Sequence, residues 1–310
     1  MRQLTNSSLS VFRDCPRKYL YSYMMGRRRL AAAAPLEFGR AWHRLMEPWW
    51  MGTGDVKAAM VEAAKTVAVD QAPKLAAMMA CYRAVLPNGT QARDEFKVLA
   101  VEQTFENFRI TNPDTGRPMA DYALAGKVDG LLEDRDGGKW VLEHKTTSDD
   151  IVGFGPYWQR LSIDLQIAYY MLATGAKGVL YDVARKPAIK LCGKDEKEAA
   201  KMGISPADAY QQRCIEAIQA DPDAYFQLRP VVKTADDLVE AQSDLWNHAH
   251  MLSECEKINR WPRNSNACRG FFGTCEFLDV CTGQARIDDD TLYRTKHDTH
   301  EELTDTPDAG

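Results

Sequence analysis

The stretch "KWVLEHKTTSD", residues 139–149, decides how this chain is read. Trp140-Val141-Leu142 is an apolar run of the kind that enters a core as a strand, yet it leads directly into Glu143 and Lys145. Side chains two apart on a strand point to the same face, so an acid and a base stand together where the strand leaves its apolar start. Just before it, "DRDGGK" (134–139) is a hairpin turn signal, and "YALAGKVDGLLED" (122–134) is the strand that feeds the turn. With the turn centred on Asp136, Asp129 lies opposite Glu143, and two carboxylates and a lysine converge. The register carries this inference, because a slip of one residue sends Asp129 to the other face.

Two carboxylates that close repel unless a cation or a proton sits between them. A hard divalent ion such as Mg²⁺ or Mn²⁺ suits oxygen ligands and leaves room for phosphate oxygens. Lys145 then orients or helps deprotonate an attacking water, while the cation stabilises charge building on the phosphate. The chemistry that needs this set is hydrolysis of a phosphodiester. The bland alternative is a strand-end ion pair between Glu143 and Lys145, with Asp129 in a solvated turn. On these residues alone both readings stay open.

The totals set the frame. At 310 residues, 45% hydrophobic and 27% charged, the chain has the balance of a globular protein with room for one elaborate domain or two ordinary ones. A net charge of −5 gives no global basic field, which weakens a nucleic-acid reading without excluding a local basic groove. No apolar stretch reaches the 18 residues of a membrane span, so no membrane partner is expected. The polar start "MRQLTNSSLSVFRDCPRKY" lacks a basic region followed by an apolar one, so the expected compartment is the cytoplasm. There the eight cysteines stay reduced unless a metal holds some of them. A phosphate-cradling G-x-x-x-x-G-K-[ST] is absent.

Outward from the hairpin, residues 5–25 read as helical, with Pro16 opening a second piece. "LEFGRAWHRLMEPWW" (36–50) is a helix expected to stop near Pro48, and the alanine- and methionine-rich residues 55–86 are helical. Strands begin near residue 94, helix returns over 157–174, and "KGVLYDVARKPAIK" (177–190) is a further strand. The remainder to about 260 is mostly helical. Residues 287–310 are acidic and polar and are expected to be a disordered tail.

Two other regions stand out. "ACRGFFGTCEFLDVCTG" (267–283) packs three cysteines, Cys268, Cys275 and Cys281, into a density unusual for a reduced protein, and "FRDCPRKYLY" (12–21) sets Cys15 beside a proline and a basic-aromatic patch. Arg13, Arg17, Lys18 and Arg27–Arg29, interleaved with Tyr19, Tyr21 and Tyr23, suit single-stranded nucleic acid, whose bases stack on aromatic and guanidinium planes. A solvated helix face over a tyrosine-lined core fits that region equally. Arg185, after the strand, is a weaker candidate for backbone phosphates.

Taken together, these pieces resemble the RecB-like branch of the PD-(D/E)XK nucleases, which includes the AddB nuclease domain, the CRISPR-associated four-cysteine nucleases and related phage recombination exonucleases. The resemblance covers about residues 5–285 outside the inserted helices. "FGRAWHRLME" is similar to the branch's G-x-x-x-H helix and makes His43 an imidazole ligand of the metal. "GKVDG" and "EHKTT" match G-x-x-D and [DE]-x-K-[ST]. By that match Asp129 and Glu143 are metal ligands, Lys145 is the catalytic lysine and the His144 backbone carbonyl is a further ligand, its side chain pointing away. "DLQIAYYMLATG" resembles the Q-x-x-x-Y helix, which puts Gln166 and Tyr170 on one face as a gate to phosphate.

The resemblance implies an α/β fold: a restriction-endonuclease-like core with a central mixed β-sheet flanked by helices. It implies one nuclease domain over 1–286, a helical insertion at about 50–95, and cluster-binding ends at 1–25 and 262–285. In the branch, one cysteine before the core and three after it bind a [4Fe–4S] cluster, here Cys15, Cys268, Cys275 and Cys281. The six-residue gap after Cys268 is wider than the branch's usual two, and four thiolates also suit tetrahedral zinc, the alternative cofactor. Cys81, Cys192, Cys214 and Cys255 are expected to be small buried apolar residues. The implied function is a Mg²⁺- or Mn²⁺-dependent DNA exonuclease preferring single-stranded ends, acting in recombination, repair or DNA processing. Single-stranded or ended duplex DNA is the implied partner, with a helicase or recombination protein beside it. Arg17, Lys18, Tyr19 and Arg185 are the residues expected to touch DNA. Two other classes compete: a catalytically quiet DNA-end-binding adaptor of the same fold, and a structural zinc protein.

Overall fold

The computed structural model describes residues 1–30, 35–52, 55–85, 95–270 and 273–303. In chain order the elements are β1 (Arg2–Leu4), α1 (Asn6–Asp14), α2 (Pro16–Tyr19), a π-helical turn (Leu20–Met24), β2 (Arg27–Arg29), α3 (Pro35–Met51), α4 (Val56–Thr66), α5 (Ala72–Val85), β3 (Phe96–Thr111), β4 (Pro118–Asp134) and β5 (Lys139–Thr147). There follow α6 (Pro156–Ser162), α7 (Leu165–Thr174), β6 (Gly178–Arg185), α8 (Gly193–Met202), α9 (Pro206–Ala220), β7 (Phe226–Val232), α10 (Ala235–Lys257), β8 (Arg269–Gly270), β9 (Gly273–Thr274), α11 (Leu278–Cys281) and β10 (Tyr293–Thr295). The contacts divide the chain into two units. One holds residues 1–32, 104–127 and 234–310; the other holds 33–103 and 128–233.

The second unit is built on β5. This strand pairs antiparallel with the end of β4, Gly130 opposite Leu142, and parallel with β6, His144 opposite Asp182. β6 in turn pairs antiparallel with β7. A strand with neighbours on both sides and helices on both faces reads as a continuous apolar run rather than an alternation, and Val141 and Leu142 are both fully buried. On the Leu142 face lies α3, whose Phe38, Ala41, Trp42, Leu45, Met46 and Trp50 recur at helical spacing and pack with Tyr82, Leu180 and Phe226. The mixed sheet flanked by helices is the α/β architecture expected of a restriction-endonuclease-like core.

Helix α3 does not stop at Pro48 as expected; it runs through to Met51. A proline inside a helix costs about 3 kcal/mol. Burying Trp50, which is 2% exposed, offsets a cost of that order, and the indole N–H also donates to the Asp182 carboxylate at 3.4 Å. Packing one turn beyond the proline therefore overrides local propensity. In the stretch expected to be a helical insertion, α4 and α5 are both helices, and residues 86–94 lie outside the described residues.

In the first unit β1 runs parallel to the start of β4, Leu4 opposite Leu124. Thr5 caps α1 through a reciprocal bond with Ser8. Cys15 closes α1, and Pro16 opens α2 at a position where its missing N–H costs nothing. The segment expected to be a disordered tail differs from that expectation as far as residue 303. Within it β10 pairs antiparallel with β2, and Tyr293, fully buried, stacks on Phe277. Composition missed this because one buried tyrosine and a few ion pairs suffice: Arg27 meets Asp290 at 2.9 Å. The rest of the expected tail, 304–310, lies outside the described residues.

Candidate active site

The register inferred from the turn holds. Gly130 faces Leu142, so the next pair along the hairpin is Asp129 and Glu143. The His144 backbone N–H donates to Asp129 Oδ2 at 2.7 Å, which ties the two strands together at the site. Helix α3 brings His43 to the same place: its Nδ1 lies 3.2 Å from Asp129 Oδ1, and the imidazole keeps 34% of its side chain exposed. Glu143 is buried at 2% exposure, with Oε1 accepting from Lys145 Nζ at 2.6 Å. Lys145 also donates to Gln166 Oε1 at 2.9 Å, and Gln166 Nε2 donates to Tyr170 Oη at 2.9 Å. A single line of hydrogen bonds thus joins Glu143, Lys145, Gln166 and Tyr170. Asp164 caps α7 by accepting from the Gln166 N–H, which fixes the first turn where Gln166 projects.

The electrostatics follow from burial and proximity. Burial works against the charge on His43, but the Asp129 carboxylate and its hydrogen bond prevail and raise the imidazole to about 9. Burial pushes Asp129 up, yet the His43 charge and hydrogen bond outweigh it and hold the carboxyl down at about 2. Glu143 goes the other way: burial, joined by the nearby Asp129 charge, lifts it to about 7 against the pull of Lys145. Burial disfavours the Lys145 ammonium, but the Glu143 carboxylate keeps its pKa well above the ordinary lysine value. The lysine is therefore a hydrogen-bond donor and a fixed positive charge, not a free base.

The donor set fits a divalent cation. Glu143 Oε2 is buried and finds no hydrogen-bond donor among the described residues, the state in which a carboxylate oxygen is costly unless a cation satisfies it. Among the described residues, one group of three or more possible ligands brings its donor atoms within 4.8 Å of one another: His43, Glu102 and Asp129. Oxygen donors with one imidazole suit Mg²⁺ or Mn²⁺.

Against known families, the sequence matches the PD-(D/E)XK nuclease superfamily over residues 3–282. The chain belongs to this superfamily. Its members are metal-dependent nucleases, which makes DNA the substrate class and a divalent cation the cofactor class. Among solved structures, the crystal structure of SSO0001 is similar over 91% of this chain and 87% of its own, at 11% identity and a TM-score of 0.38, a distance at which it adds nothing to the assignment. No curated protein matches.

Two residues of this PD-(D/E)XK site escaped the sequence reading. Asp182, fully buried, accepts from Tyr82 Oη at 2.6 Å, shares a 2.9 Å hydrogen bond with His144 Nδ1 and takes the Trp50 indole bond. It holds the His144 ring on the face away from Glu143, as alternation along the strand requires. A lone acid inside "GVLYDVA" was the available signal. Glu102 is the other, and its signal was a break in the alternation of β3, described below.

The expected DNA contacts fare differently. Tyr19 is 4% exposed and stacks on Tyr23 and Trp261, so its ring is spent on packing rather than presented to a base. Arg17 donates through Nε to the Trp261 carbonyl, and Arg29 meets Asp279 at 3.1 Å. Internal pairing consumes much of the basic-aromatic run. Arg185 lies 3.8 Å from Asp150 at the end of β6.

Cys15, Cys268, Cys275 and Cys281 all line one cavity of about 420 Å³, together with Lys18 and Asn264. Asn264 bridges the chain ends there: its backbone N–H donates to Cys15 Sγ at 3.4 Å and its side chain to the Asp14 carbonyl at 2.8 Å. Burial pushes the Cys275 and Cys281 thiols up. Of the other cysteines, Cys81 and Cys214 are buried as expected, Cys255 is half-buried, and Cys192 is exposed at the start of α8, where its chain position caps the helix instead of filling a core.

Proposed function

We propose that this nuclease is an exonuclease that removes nucleotides from single-stranded DNA ends with Mg²⁺ or Mn²⁺, in recombination, repair or DNA processing. The observation that supports it most is the line from Glu143 through Lys145 and Gln166 to Tyr170, set against the unpaired Oε2 of Glu143 and the Asp129–His43 pair. His43, Asp129, Glu143 and the His144 carbonyl hold the cation. When bound, the cation neutralises charge on the scissile phosphate. Lys145, kept charged by Glu143, donates to the attacking water or to a phosphate oxygen and fixes its approach. Gln166 holds the lysine in line, and Tyr170 offers its hydroxyl to the phosphate or its ring edge to a base.

The four cysteines are assigned a [4Fe–4S] cluster that ties the chain ends. A tetrahedral zinc site with bonds of 2.3 Å needs sulfur atoms ~3.8 Å apart. A cavity of about 420 Å³ lined by all four cysteines has room for the bulkier group. Labelled single- and double-stranded DNA, incubated with the purified protein and Mn²⁺, tests the reading. Progressive shortening of single strands is expected, with Asp129→Ala and Lys145→Ala inactive. Cleavage that persists in either variant sinks the assignment, and tight metal-independent DNA binding without turnover moves weight to the adaptor. A colourless anaerobic sample holding zinc and no iron replaces the cluster by zinc.

A further inference from the structure

Glu102 lies on β3, in a backbone conformation that a glutamate does not choose: its φ is +50°. Non-glycine residues in the left-handed region carry strain of order 1 kcal/mol or more, and such strain collects at functional sites. The strand is irregular here: Val98 and Val101, three apart, both pack against the same core, so strict alternation is already broken before Glu102, and the positive φ re-aims the Glu102 side chain itself. The carboxylate consequently comes within 4.8 Å of the donor atoms of both His43 and Asp129. Donors at ~2.1 Å from one octahedral ion stand ~3.0 Å apart when adjacent and ~4.2 Å when opposite. Side-chain rotation of Glu102 towards the His43–Asp129 pair brings all three onto one cation.

A second, independent observation points to a ligand at this place. Glu143, whose charge acts on both His43 and Asp129, is buried with Oε2 unpaired among the described residues. Three carboxylates are therefore gathered around one imidazole, and Asp129 offers oxygens to either side, Oδ1 towards His43 and Oδ2 towards the hairpin. Acids that close need protons or cationic charge among them, which His43 and Lys145 supply in the metal-free chain and a bound cation would supply more fully.

We propose that Glu102 is a direct cation ligand, closing with His43 and Asp129 a position made of one imidazole nitrogen and two carboxylate oxygens. The inference rests on reading this site as cation-binding, and it adds a ligand that β3 supplies. Mn²⁺ titration of the full chain without DNA, followed by the electron paramagnetic resonance of free Mn²⁺, tests it. Glu102→Gln, which keeps the shape and removes the charge, is expected to weaken Mn²⁺ binding at least ~10-fold, as loss of a charged ligand does. Affinity equal to wild type overturns the proposal.

Glu102→Gly separates ligation from scaffolding, because glycine adopts the positive φ without strain. The metal-free variant is expected to melt no lower than wild type, while the rise in Tm on adding Mn²⁺ shrinks. A lower metal-free Tm with the Mn²⁺ rise intact assigns Glu102 a structural role only and overturns ligation. Failure of the nuclease reading looks different: wild type binds Mn²⁺ and loses affinity in Glu102→Gln, yet cuts no DNA.

Discussion

The two metal-type regions of this chain are assembled in opposite ways. At the acidic site the side chains are already held by one another: Asp129 by His43, Glu143 by Lys145, Lys145 by Gln166. At the cysteine cavity two of the thiols are pushed towards their neutral form by burial, and backbone bonds from the chain ends do the positioning. The first is organised before a cation arrives, as chemistry at a phosphate demands. On the proposed cluster assignment, the second would draw its order from what binds it, as structural thiolate sites do. One region should therefore control rate with little effect on stability, and the other stability first.

The largest expected effect breaks the second region. Cys275→Ala removes one ligand of the clip and, by analogy with a cross-link closing a very long loop, is expected to cost ~5 kcal/mol. Folded yield, visible absorbance and activity should fall together in an anaerobic preparation. A variant that stays folded, active and as coloured as wild type removes the cysteine assignment.

Next comes the lysine. Lys145→Ala is expected to lower the cleavage rate ~10³-fold, the size of a lost electrostatic contact in a transition state. Its absorbance should stay at the wild-type value and its Tm close to it, which is the contrast with Cys275→Ala measured on one pair of proteins. A Tm loss as large as that of Cys275→Ala would erase the distinction between the regions.

Asp182→Ala tests the buried support beneath the acidic site, which, unlike the side chains that face the cation, is expected to carry stability. It leaves the buried Tyr82 hydroxyl, the Trp50 indole and the His144 ring without their shared acceptor, an expected loss of ~3 kcal/mol in urea unfolding. Because His144 also donates its N–H to Asp129, Mn²⁺ affinity should weaken as well. Unchanged stability would mean that the buried network is incidental.

The smallest effect is in pH. His43 is raised to about 9 and Asp129 held at about 2, so their pair stabilises the metal-free fold fully between about pH 4 and 6.5 and loses that contribution as pH rises through about 9. Glu143 is raised to about 7, so its ionisation penalises the fold increasingly from pH 4.5 and fully above about 7. Both slopes have the same sign, and metal-free Tm should fall between pH 6 and 9. Mn²⁺ competes with these protons, so its affinity should climb over the same range. A flat or falling affinity from pH 6 to 9 contradicts the assignment of these two ligands.

The hairpin was legible because turn chemistry and period-2 alternation agree: the Gly137-Gly138 turn fixes the register, and register alone decides whether residues 129 and 143 meet. Helix was legible over 157–174, but its break was not: the chain leaves helix after Ser162 and restarts with Asp164 as cap of α7, which stops at Gly175 with φ +68°. What escaped depends on partners distant in sequence. Pro48 misled because Trp50 is held by Asp182 from another strand. Tyr19 misled because a tyrosine amid arginines looks the same whether it faces DNA or Trp261. Glu102 was hidden because a left-handed residue shifts the phase of the strand, and phase is what alternation assumes.

The measurement that bears most directly on the account is an anomalous difference map from a crystal of the full chain soaked in Mn²⁺. The expected result is a peak at bonding distance from carboxylate oxygens of Asp129 and Glu143, with the Lys145 ammonium beside it. A peak bounded by other residues, or none under conditions where the protein cuts DNA, contradicts it.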